Sequence, residues 1–438
     1  MSKSRLFDEF QEVSAKEWKQ KIQVDLKGAD YNETLVWESP EGIKVKPFYH
    51  LDDATPTASV APDSDWNIGQ AIYVQNAKAA NTKALDVLNR GAEDIVFIVA
   101  SEEIEVSELF QDIQLETTTI YFNFEFLSSN YIQKIIDFVG KVDAKIHLNI
   151  DIIGNLAKTG NWFESKLDDY KLFHTLFKKV TKRTRVLSVD ANLYQNAGAN
   201  IVQQVAYALA HGNEYLNYLD ASDFGLRTSD STILFNFAVS SNYFFEIAKL
   251  KAFQYLWKLL AKEYDSNVKD SLFVKPSLRN KTLYDYNVNM LRTTSECMSA
   301  ILGGADVISN ISYDSLYHKK NEFGERIARN QLLILQEESY FKQANTFANG
   351  SYYIEAMTNQ IAEKALDLFK DIEKNGGFFK QLQAGTIQRK IEESAKKEQL
   401  QFDNGELVLL GTNKHPNLDD KMKTENDNPS IGLVLCRS

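Results

Sequence analysis

The sequence predicts an α/β fold, a (β/α)8 TIM barrel in which eight parallel strands close into a cylinder surrounded by helices. Apolar runs of strand length alternate with helical patterns, and this alternation implies parallel strand pairing. The apolar runs number eight, which indicates a closed barrel. A chain of 438 residues fits one such barrel with an extension at each end.

The eight predicted strands are short apolar runs, most of them separated by helical patterns. They are Gln70–Val74, Asp94–Ala100, Thr119–Phe124, Lys145–Asp151, Val186–Asp190, Thr232–Val239, Leu272–Lys275 and Asp306–Asn310. A helix follows the fifth strand, because one helical face carries apolar residues at Ile201, Val202, Val205, Ala206 and Leu209.

A helical arm, residues 1–50, precedes the barrel. Ser14 and Glu17 have the spacing of a capping box, which predicts the start of a helix. The helix can run to Leu26 and end at Gly28, a suitable left-handed C-cap. Since the arm comes before the first barrel strand, we expect it to pack on the outside of the barrel or on another chain.

The predicted barrel domain spans residues 51–377, and a helical linker and tail follow over residues 378–438. A helix at the end of the barrel domain has apolar residues three or four positions apart, at Ile354, Met357, Ile361, Ala365, Leu368 and Ile372. Gly376 and Gly377 are predicted to end it. The segment Phe378–Lys397 is charged and helical, and the tail from Asn413 is expected to be a loose end.

Composition excludes several classes of function. Hydrophobic residues make up 44% and charged residues 25%, which is typical of globular proteins. The net charge of −11 would repel a phosphate backbone, so no nucleic-acid partner is expected. An anionic substrate would need a local basic site.

The sequence also predicts a cytoplasmic protein. Its two cysteines, Cys297 and Cys436, are interpreted as free thiols in a reducing compartment. No signal peptide and no apolar stretch long enough to span a bilayer is recognised, so no membrane association is expected.

Four groups of residues carry a resemblance to a known family. The first two are Asn196-Ala197-Gly198-Ala199 with the following helix, and Asn242 to Leu250 ending in Leu256-Trp257. The others are Leu291-Arg292-Thr293-Thr294 with Leu302-Gly303-Gly304, and Glu325 to Asn330 continuing through Leu335 to Ser339 and Gly350 to Glu355. Together they resemble methylmalonyl-CoA mutases over nearly the whole chain, less closely between Ile43 and Asp190.

The start of the chain is similar to the small (beta) subunit of these enzymes, through Trp18, Asp25 to Ala29 and Glu41-Gly42-Ile43. The resemblance implies a barrel that holds the substrate in the catalytic chain and a separate C-terminal domain that carries adenosylcobalamin. Radical chemistry from that cofactor interconverts methylmalonyl-CoA and succinyl-CoA. The partner implied for this chain is a large catalytic subunit in a heterodimer.

Family residues that hold the cofactor are missing from this sequence. The cobalamin domain carries Asp-x-His-x-x-Gly, whose histidine replaces the lower ligand of the cofactor. The residues two places before the six histidines are Phe48, Lys145, Leu172, Leu209, Leu316 and Asn413. We therefore expect no cofactor-binding or metal site in this chain, no further cobalamin domain after the linker, and adenosylcobalamin to be bound by the partner.

Reactive residues of the catalytic barrel are also replaced. Catalytic chains have a tyrosine after Trp-x-Ile-x-Gln, where this chain has Ala71, and a histidine four residues before Ala-Gly-Ala, where it has Leu193. They follow Arg-Asn with Thr-Gln, whereas Gln331 and Leu332 stand here. The arginine that pairs the substrate carboxylate has no match in Asn149–Trp162. No catalytic residue is predicted.

Barrel strands rich in bulky residues favour the same interpretation. Active barrels of the family admit the pantetheine arm of coenzyme A along their axis, which requires small or polar inward side chains. The strands here carry large ones, namely Val96, Phe97, Ile98, Val99, Ile120, Tyr121, Phe122 and Phe124. Such residues fill an ordinary barrel core in layers and leave no channel.

Other residues have both a functional and a structural interpretation. Asp151 and Asp190 fall at predicted C-terminal strand ends, where catalytic residues occur, but a helix cap or a solvated loop is favoured over catalysis. His211 is predicted just past a helix as a C-terminal cation rather than a ligand. His147, inside a strand, is expected to be a hydrogen-bonded core or rim residue.

Three further sets remain. Four charged residues suit either an intersubunit contact or a solvated or locally paired helix face: Arg326, Arg329, Glu337 and Glu338. Glycine pairs at 303–304 and 376–377 lack a phosphate-loop pattern, so helix termination explains them better. A set of aromatic residues is interpreted as core, with a partner surface as the alternative: Phe235, Phe237, Tyr243, Phe244 and Phe245.

The sequence leaves three hypotheses for function. The favoured one is a small, non-catalytic subunit that stabilises a large methylmalonyl-CoA mutase subunit, with Trp18 and Trp37 of the arm as anchors on the partner. The second is a stand-alone barrel that binds acyl-CoA for other chemistry. The third is a partner of a related acyl-CoA mutase acting on isobutyryl-CoA or ethylmalonyl-CoA.

Overall fold

A computed structural model describes residues 9–53, 65–140, 144–179, 183–222, 232–264, 268–316, 318, 321–343 and 346–419. Two short antiparallel strands lie in the arm, β1 (Trp37–Glu38) and β2 (Lys44–Val45). Eight parallel strands form a closed barrel: β3 (Asn67–Val74), β4 (Asp94–Val99), β5 (Thr119–Phe124), β6 (Lys145–Ile150), β7 (Thr184–Val189), β8 (Thr232–Val239), β9 (Lys269–Pro276) and β10 (Val307–Ile308). The predicted TIM barrel and all eight of its strands are confirmed, with boundaries that differ by a few residues.

Helices surround the barrel and extend beyond it. The arm contains α1 (Ala15–Asp25) and α2 (Tyr31–Leu35). The barrel helices are α3 (Ala77–Asn89), α4 (Val106–Leu109), α5 (Ser129–Val139), α6 (Ile152–Thr159), α7 (Lys166–Phe177), α8 (Asn192–Ala197), α9 (Ile201–Asp220), α10 (Tyr243–Glu263), α11 (Val288–Leu302) and α12 (Glu322–Leu333). After a π-helical turn at Ile334–Glu338 come α13 (Tyr352–Lys374), α14 (Gly377–Gln383) and α15 (Thr386–Asp403).

Strand alternation creates two separate apolar cores. Successive side chains of a strand point to opposite faces, so each barrel strand contributes to the interior and to the layer beneath the helices. The larger core lies in that outer layer and includes Phe97, Phe122 and Trp257, all fully buried. Helix α13 packs against α9 and α10 and so extends this core. Its residues Met357 and Ile361 are also fully buried.

The first helix of the arm has no residue in the core. The predicted capping box is present, since Glu17 N donates to Ser14 Oγ and Ser14 N donates to Glu17 Oε2. The helix ends at Asp25, and Gly28 takes the left-handed conformation (φ 99°). No residue of α1 is buried, so this helix derives little stability from the described part of its own chain.

The C-terminal helices agree with the sequence pattern. Helix α13 ends at Lys374, and Gly376 and Gly377 both have positive φ, so the predicted helix stop is confirmed. Likewise Gly304 (φ 86°) follows α11. The charged segment after α13 forms α14 and most of α15. Cys297 is buried and free, whereas Cys436 and most of the predicted tail lie outside the described residues.

No described helix is both long enough and apolar enough to cross a membrane.

Candidate functional site at the carboxyl ends of the barrel strands

Large side chains fill the interior of the barrel. Five buried residues from five strands form one cluster, with Ala71 of β3 packed against them: Val96, Tyr121, Leu234, Phe273 and Val307. The Tyr121 and Phe273 rings lie 5.4 Å apart, and a Cβ added at Gly69 would lie 2.9 Å from Val307 Cγ1. A cluster that joins strands on opposite sides of the cylinder occupies its axis. We call these six residues the axial plug.

The bulky strand residues that the sequence analysis names divide between the barrel interior and the outer core. Val96 and Tyr121 belong to the axial plug. Phe97, Val99, Ile120 and Phe122 lie in the outer core instead, and Phe124 packs against that core. The period of two residues explains the split, because neighbours along a strand face opposite sides.

His147 extends the axial plug across β6. Its ring stacks on Tyr121 at 4.5 Å between centroids, and its Nε2 lies 3.5 Å from Arg185 Nη1. Burial, with the Arg185 charge, holds the pKa of His147 well below its usual value, and burial raises the pKa of Tyr121. Both groups are therefore neutral around pH 7 and suit packing; the predicted core histidine is confirmed.

Above the axial plug, polar groups line the mouth of the barrel. Asn149, near the end of β6, has a left-handed backbone (φ 45°) and donates from Nδ2 to Asn123 Oδ1 at 2.9 Å. Tyr73 donates to Glu125 at 3.0 Å. Asp190 follows β7, where burial raises the pKa of its carboxyl against the opposing charge of Lys275. Amides, one phenol and carboxylates can form hydrogen bonds here.

Asp151 is a helix cap held by four hydrogen bonds. Its carboxylate accepts from Gly154 N and Asp190 N, both at 2.7 Å, and from Tyr215 Oη at 2.7 Å. His211 Nε2 lies 3.0 Å from Oδ1. Burial acts to raise the pKa of Asp151, but His211 and the hydrogen bonds from Tyr215 and Asp190 N together outweigh it, and the pKa lies below its usual value. The predicted cap is confirmed.

The position predicted for His211 was wrong. It lies in the middle of α9, not past its end, and it is fully buried. Tyr194 Oη lies 2.8 Å from Nδ1, and the Phe378 ring of α14 stacks on the imidazole at 5.4 Å. The apolar spacing of α9 continues on both sides of His211, and this continuity was the signal that the helix did not stop there.

A cavity of about 1050 Å³ opens beside the mouth. The loops after β7, β8 and β9 form its floor, and the β1–β2 turn and α15 form its walls. Arg279 Nε donates to Glu398 of α15 at 2.6 Å, and a Cβ added at Gly198 would lie 2.6 Å from Ala395 Cβ. The sequence did not predict this cavity, because its walls come from segments far apart in the chain.

Two buried ion pairs support the floor of this cavity. Lys249 and Glu246 are both fully buried and bonded to each other, and Lys249 Nζ also donates to Gln195 and Gln204. Lys281 pairs with Glu296 at 2.8 Å. The sequence does carry a signal for the first pair: Glu246 and Lys249 are opposite charges three residues apart in an otherwise apolar helical segment. Among the described residues, no cluster of metal-ligand side chains is present.

Comparison with known proteins identifies the family. A family model described as methylmalonyl-CoA mutase matches residues 96–431. The methylmalonyl-CoA mutase small subunit of Porphyromonas gingivalis is 35% identical over 95% of this chain and 72% of the relative.

The chain belongs to the methylmalonyl-CoA mutase family. Two further members are similar over most of its length. The small subunit from Streptomyces virginiae is 25% identical over 94% of this chain and 72% of the relative. Methylmalonyl-CoA mutase of Rhizobium meliloti is 27% identical over 95% of this chain, which spans 65% of that relative.

Ala71 and Leu193 are the residues that the sequence resemblance aligns with the tyrosine and histidine of catalytic chains, and both are apolar. Ala71 lies in the axial plug. Leu193 lies in α8 after β7 and packs against the outer core. Neither side chain has a donor or acceptor for a substrate. Gln331, at a third family position, donates to Met290 O and Thr294 Oγ1 and so links α12 to α11.

Other family segments have structural roles in this chain. Arg329 is buried, donating to Arg90 O and Gln70 Oε1, whereas Arg326 is exposed beside the Phe323 ring. Glu337 and Glu338 are exposed. In the aromatic set of β8 and the start of α10, the rings of Phe235, Phe237 and Phe245 are buried, Tyr243 is partly buried, and Phe244 is 48% exposed.

Proposed function

We propose that this chain is the small, non-catalytic subunit of a heterodimeric methylmalonyl-CoA mutase. In this proposal the large subunit binds adenosylcobalamin and interconverts methylmalonyl-CoA and succinyl-CoA, while this chain stabilises the catalytic barrel by association. The axial plug carries the proposal, because a barrel filled by Tyr121, Phe273 and their neighbours has no room for a pantetheine arm.

The family's cobalamin motif has no match among the six histidines, because none has aspartate two residues before it. Two of them, His147 and His211, are also buried against stacked rings. A lower cobalt ligand needs an accessible imidazole nitrogen. We therefore derive no reaction step through the cofactor on this chain and assign it to the partner.

The arm supports the proposed association with a partner. Helix α1 has no buried residue and exposes 51% of Trp18 and 71% of Val24. Trp37 is 53% exposed, with its ring edge on Phe245 at 5.9 Å. Large exposed aromatic residues on an element with few contacts of its own favour a protein interface. We propose residues 1–50 as that interface, residues 51–377 as the barrel domain and residues 378–438 as linker and tail.

Co-expression with the candidate large subunit tests the proposal. We expect the two chains to elute as one complex from a size-exclusion column, with mutase activity higher in the complex than in the large subunit alone. Calorimetric titration of this chain alone with methylmalonyl-CoA should give no saturable heat. Stoichiometric binding, or isomerisation by this chain alone with added adenosylcobalamin, would contradict the non-catalytic role.

The arm is tested within the same complex. Deletion of residues 1–30, or Trp18→Ala, should weaken association, since an aromatic anchor typically contributes about 2 kcal/mol to an interface. Tyr340→Ala is a matched control, because Tyr340 is 79% exposed and lies outside the arm. Unchanged co-purification of both arm variants would count against the arm as the interface.

A further inference from the structure

A small cleft on the outside of the barrel has a charged lining. It lies between α3 and α12, which follow the adjacent strands β3 and β10. The cleft has a volume of about 290 Å³, and seven of its eight lining residues are charged: Lys83, Asp86, Arg90, Glu322, Glu325, Arg326 and Arg329, with Val87 as the apolar exception. Neighbouring barrel helices usually pack through apolar side chains, so this lining needs an explanation other than packing.

Glu325 is the most constrained member of the lining. It is 6% exposed, and Lys83 Nζ contacts its Oε2 at 2.6 Å. Its other oxygen, Oε1, is buried and has no hydrogen-bond partner among the described residues. A buried carboxylate oxygen without a donor costs about 1–3 kcal/mol or more. A ligand that donates a hydrogen bond to Oε1 would remove this cost.

Two arginines lie close to Glu325 on α12: Arg326 is the next residue, and Arg329 lies about one helical turn farther along. Arg329 is 5% exposed and uses Nε and Nη1 for bonds to Arg90 O and Gln70 Oε1, leaving Nη2 without an acceptor in the described chain. Arg326 forms no ion pair with a described residue, and its guanidinium lies over the Phe323 ring. Guanidinium groups with unused N–H donors bind carboxylates, often through two hydrogen bonds.

The size and charge of the cleft restrict its ligand. Its 290 Å³ lies at the lower end of ligand pockets, too small for a nucleotide or an acyl-CoA. Four cationic and three anionic groups leave one net positive charge. We propose that the cleft binds a small carboxylate that also carries a hydroxyl or ammonium donor, with its donor on Glu325 Oε1 and its carboxylate on Arg326 and Arg329.

Three ligands of one carbon skeleton separate the two contacts. Alanine and lactate carry an ammonium or a hydroxyl beside the carboxylate, and propionate carries neither. Calorimetric titration of the full chain should show alanine or lactate binding at least about tenfold more tightly than propionate, because only they satisfy Oε1. Equal binding of all three, or no binding of any, would overturn the proposal.

Variants locate the binding. Glu325→Gln keeps the shape and replaces an acceptor by a donor, so binding should weaken by about tenfold or more. Arg326→Gln changes an exposed residue, which leaves folding intact and should weaken the affinity by about fivefold or more. Arg389→Gln, 65% exposed on α15, is the control and should bind as wild type. Wild-type affinity in both cleft variants would place the ligand elsewhere and refute the assignment.

Discussion

His211 Nε2 lies 3.0 Å from Asp151 Oδ1, and this contact joins the middle of α9 to the first turn of α6. The two residues are sixty positions apart, and both are buried. The Phe378 ring covers the imidazole, so the same contact also anchors the start of α14. The Asp151–His211 pair thus helps to hold α14, which follows the barrel domain, against the barrel.

Asp151→Asn should destabilise the protein in a pH-dependent way. The pKa of Asp151 is lowered in the fold from its usual 3.8, so its ionised form adds stability above that pH, and this stability is lost as pH falls. At pH 7 the variant should lose about 3 kcal/mol of unfolding free energy, because His211 and Tyr215 lose a charged partner.

Denaturant unfolding of both proteins between pH 3 and pH 7 checks this. The difference between wild type and variant should shrink as pH falls below about 4. Asp168→Asn, on the exposed first turn of α7, is the control and should change the stability far less. If the difference in unfolding free energy stayed constant from pH 3 to pH 7, the charge of Asp151 would not contribute to stability.

Asp94 should give the opposite pH dependence. Burial raises the pKa of this carboxyl to about 6, even though it accepts hydrogen bonds from Asn67 and Thr119. The fold therefore prefers the protonated acid, and stability should decrease as pH rises from 3.8 through 6. The loss is on the order of 2–3 kcal/mol at pH 7.

Asp94→Asn removes the ionisation while keeping the size of the side chain. Position 94 then no longer titrates, so it should add no pH dependence to the unfolding free energy between pH 4 and pH 7. The stability of the variant relative to wild type should therefore increase as pH rises. Unfolding curves at three pH values in that window measure the effect. Parallel pH profiles for the two proteins would argue against a raised Asp94 pKa.

Sequence patterns were sufficient for the barrel but not for its interior. The eight strands and the helices α9 and α13 followed from hydrophobic periodicity, since each of these elements buries a face defined by its own residues. Which residues face the axis depends on strand register, and a shift of one residue exchanges the two faces. The sequence pattern therefore left the side undecided for Phe97 and Phe122, which lie in the outer core.

The role of a site residue could be predicted where it depends on neighbours in the sequence. Asp151 lies at the end of a predicted strand, where a helix cap or a solvated loop was expected, and it caps α6. The contacts of His211 depend on Tyr194, Asp151 and Phe378, which come from three other elements. Similarly, the cleft beside Glu325 forms only when α3 and α12 become neighbours through closure of the barrel between β3 and β10. Such contacts have no local sequence signal.

Gly198→Ala should destabilise the fold more than an ordinary glycine substitution. Gly198 has φ 104°, and an added Cβ would lie 2.6 Å from Ala395 Cβ and 2.8 Å from Arg279 Nη2. Backbone strain and this clash together should cost about 2–4 kcal/mol. Gly160→Ala is a matched control, since Gly160 has φ 77° with open space around it, and it should cost only about 1 kcal/mol.

Backbone strain at position 198 can be separated from the steric clash with Ala395. The measurement compares the thermal unfolding of Gly198→Ala with that of the double variant Gly198→Ala, Ala395→Gly. The second substitution removes the Ala395 methyl group, so the double variant should recover part of the lost stability despite the lower helix propensity of glycine. Equal losses in the Gly198 and Gly160 variants would show that α15 does not pack closely on this loop.

The buried pair of Glu246 and Lys249 predicts non-additive substitutions. Both side chains are fully buried, and Lys249 Nζ also donates to Gln195, Gln204 and Ala238 O. Lys249→Met should cost about 3–5 kcal/mol, because it leaves the Glu246 carboxylate buried without its cation.

Adding Glu246→Gln to Lys249→Met removes that charge while keeping an amide for the Ser240 hydrogen bonds. The double variant should therefore be more stable than Lys249→Met alone, with a coupling free energy of at least about 1 kcal/mol in a double-mutant cycle of denaturant unfolding. Strictly additive losses would mean that the two charges do not depend on each other. Coupling would instead show that the floor of the large cavity is maintained by charge balance, since Gln195 and Gln204 line that cavity and both bond to Lys249.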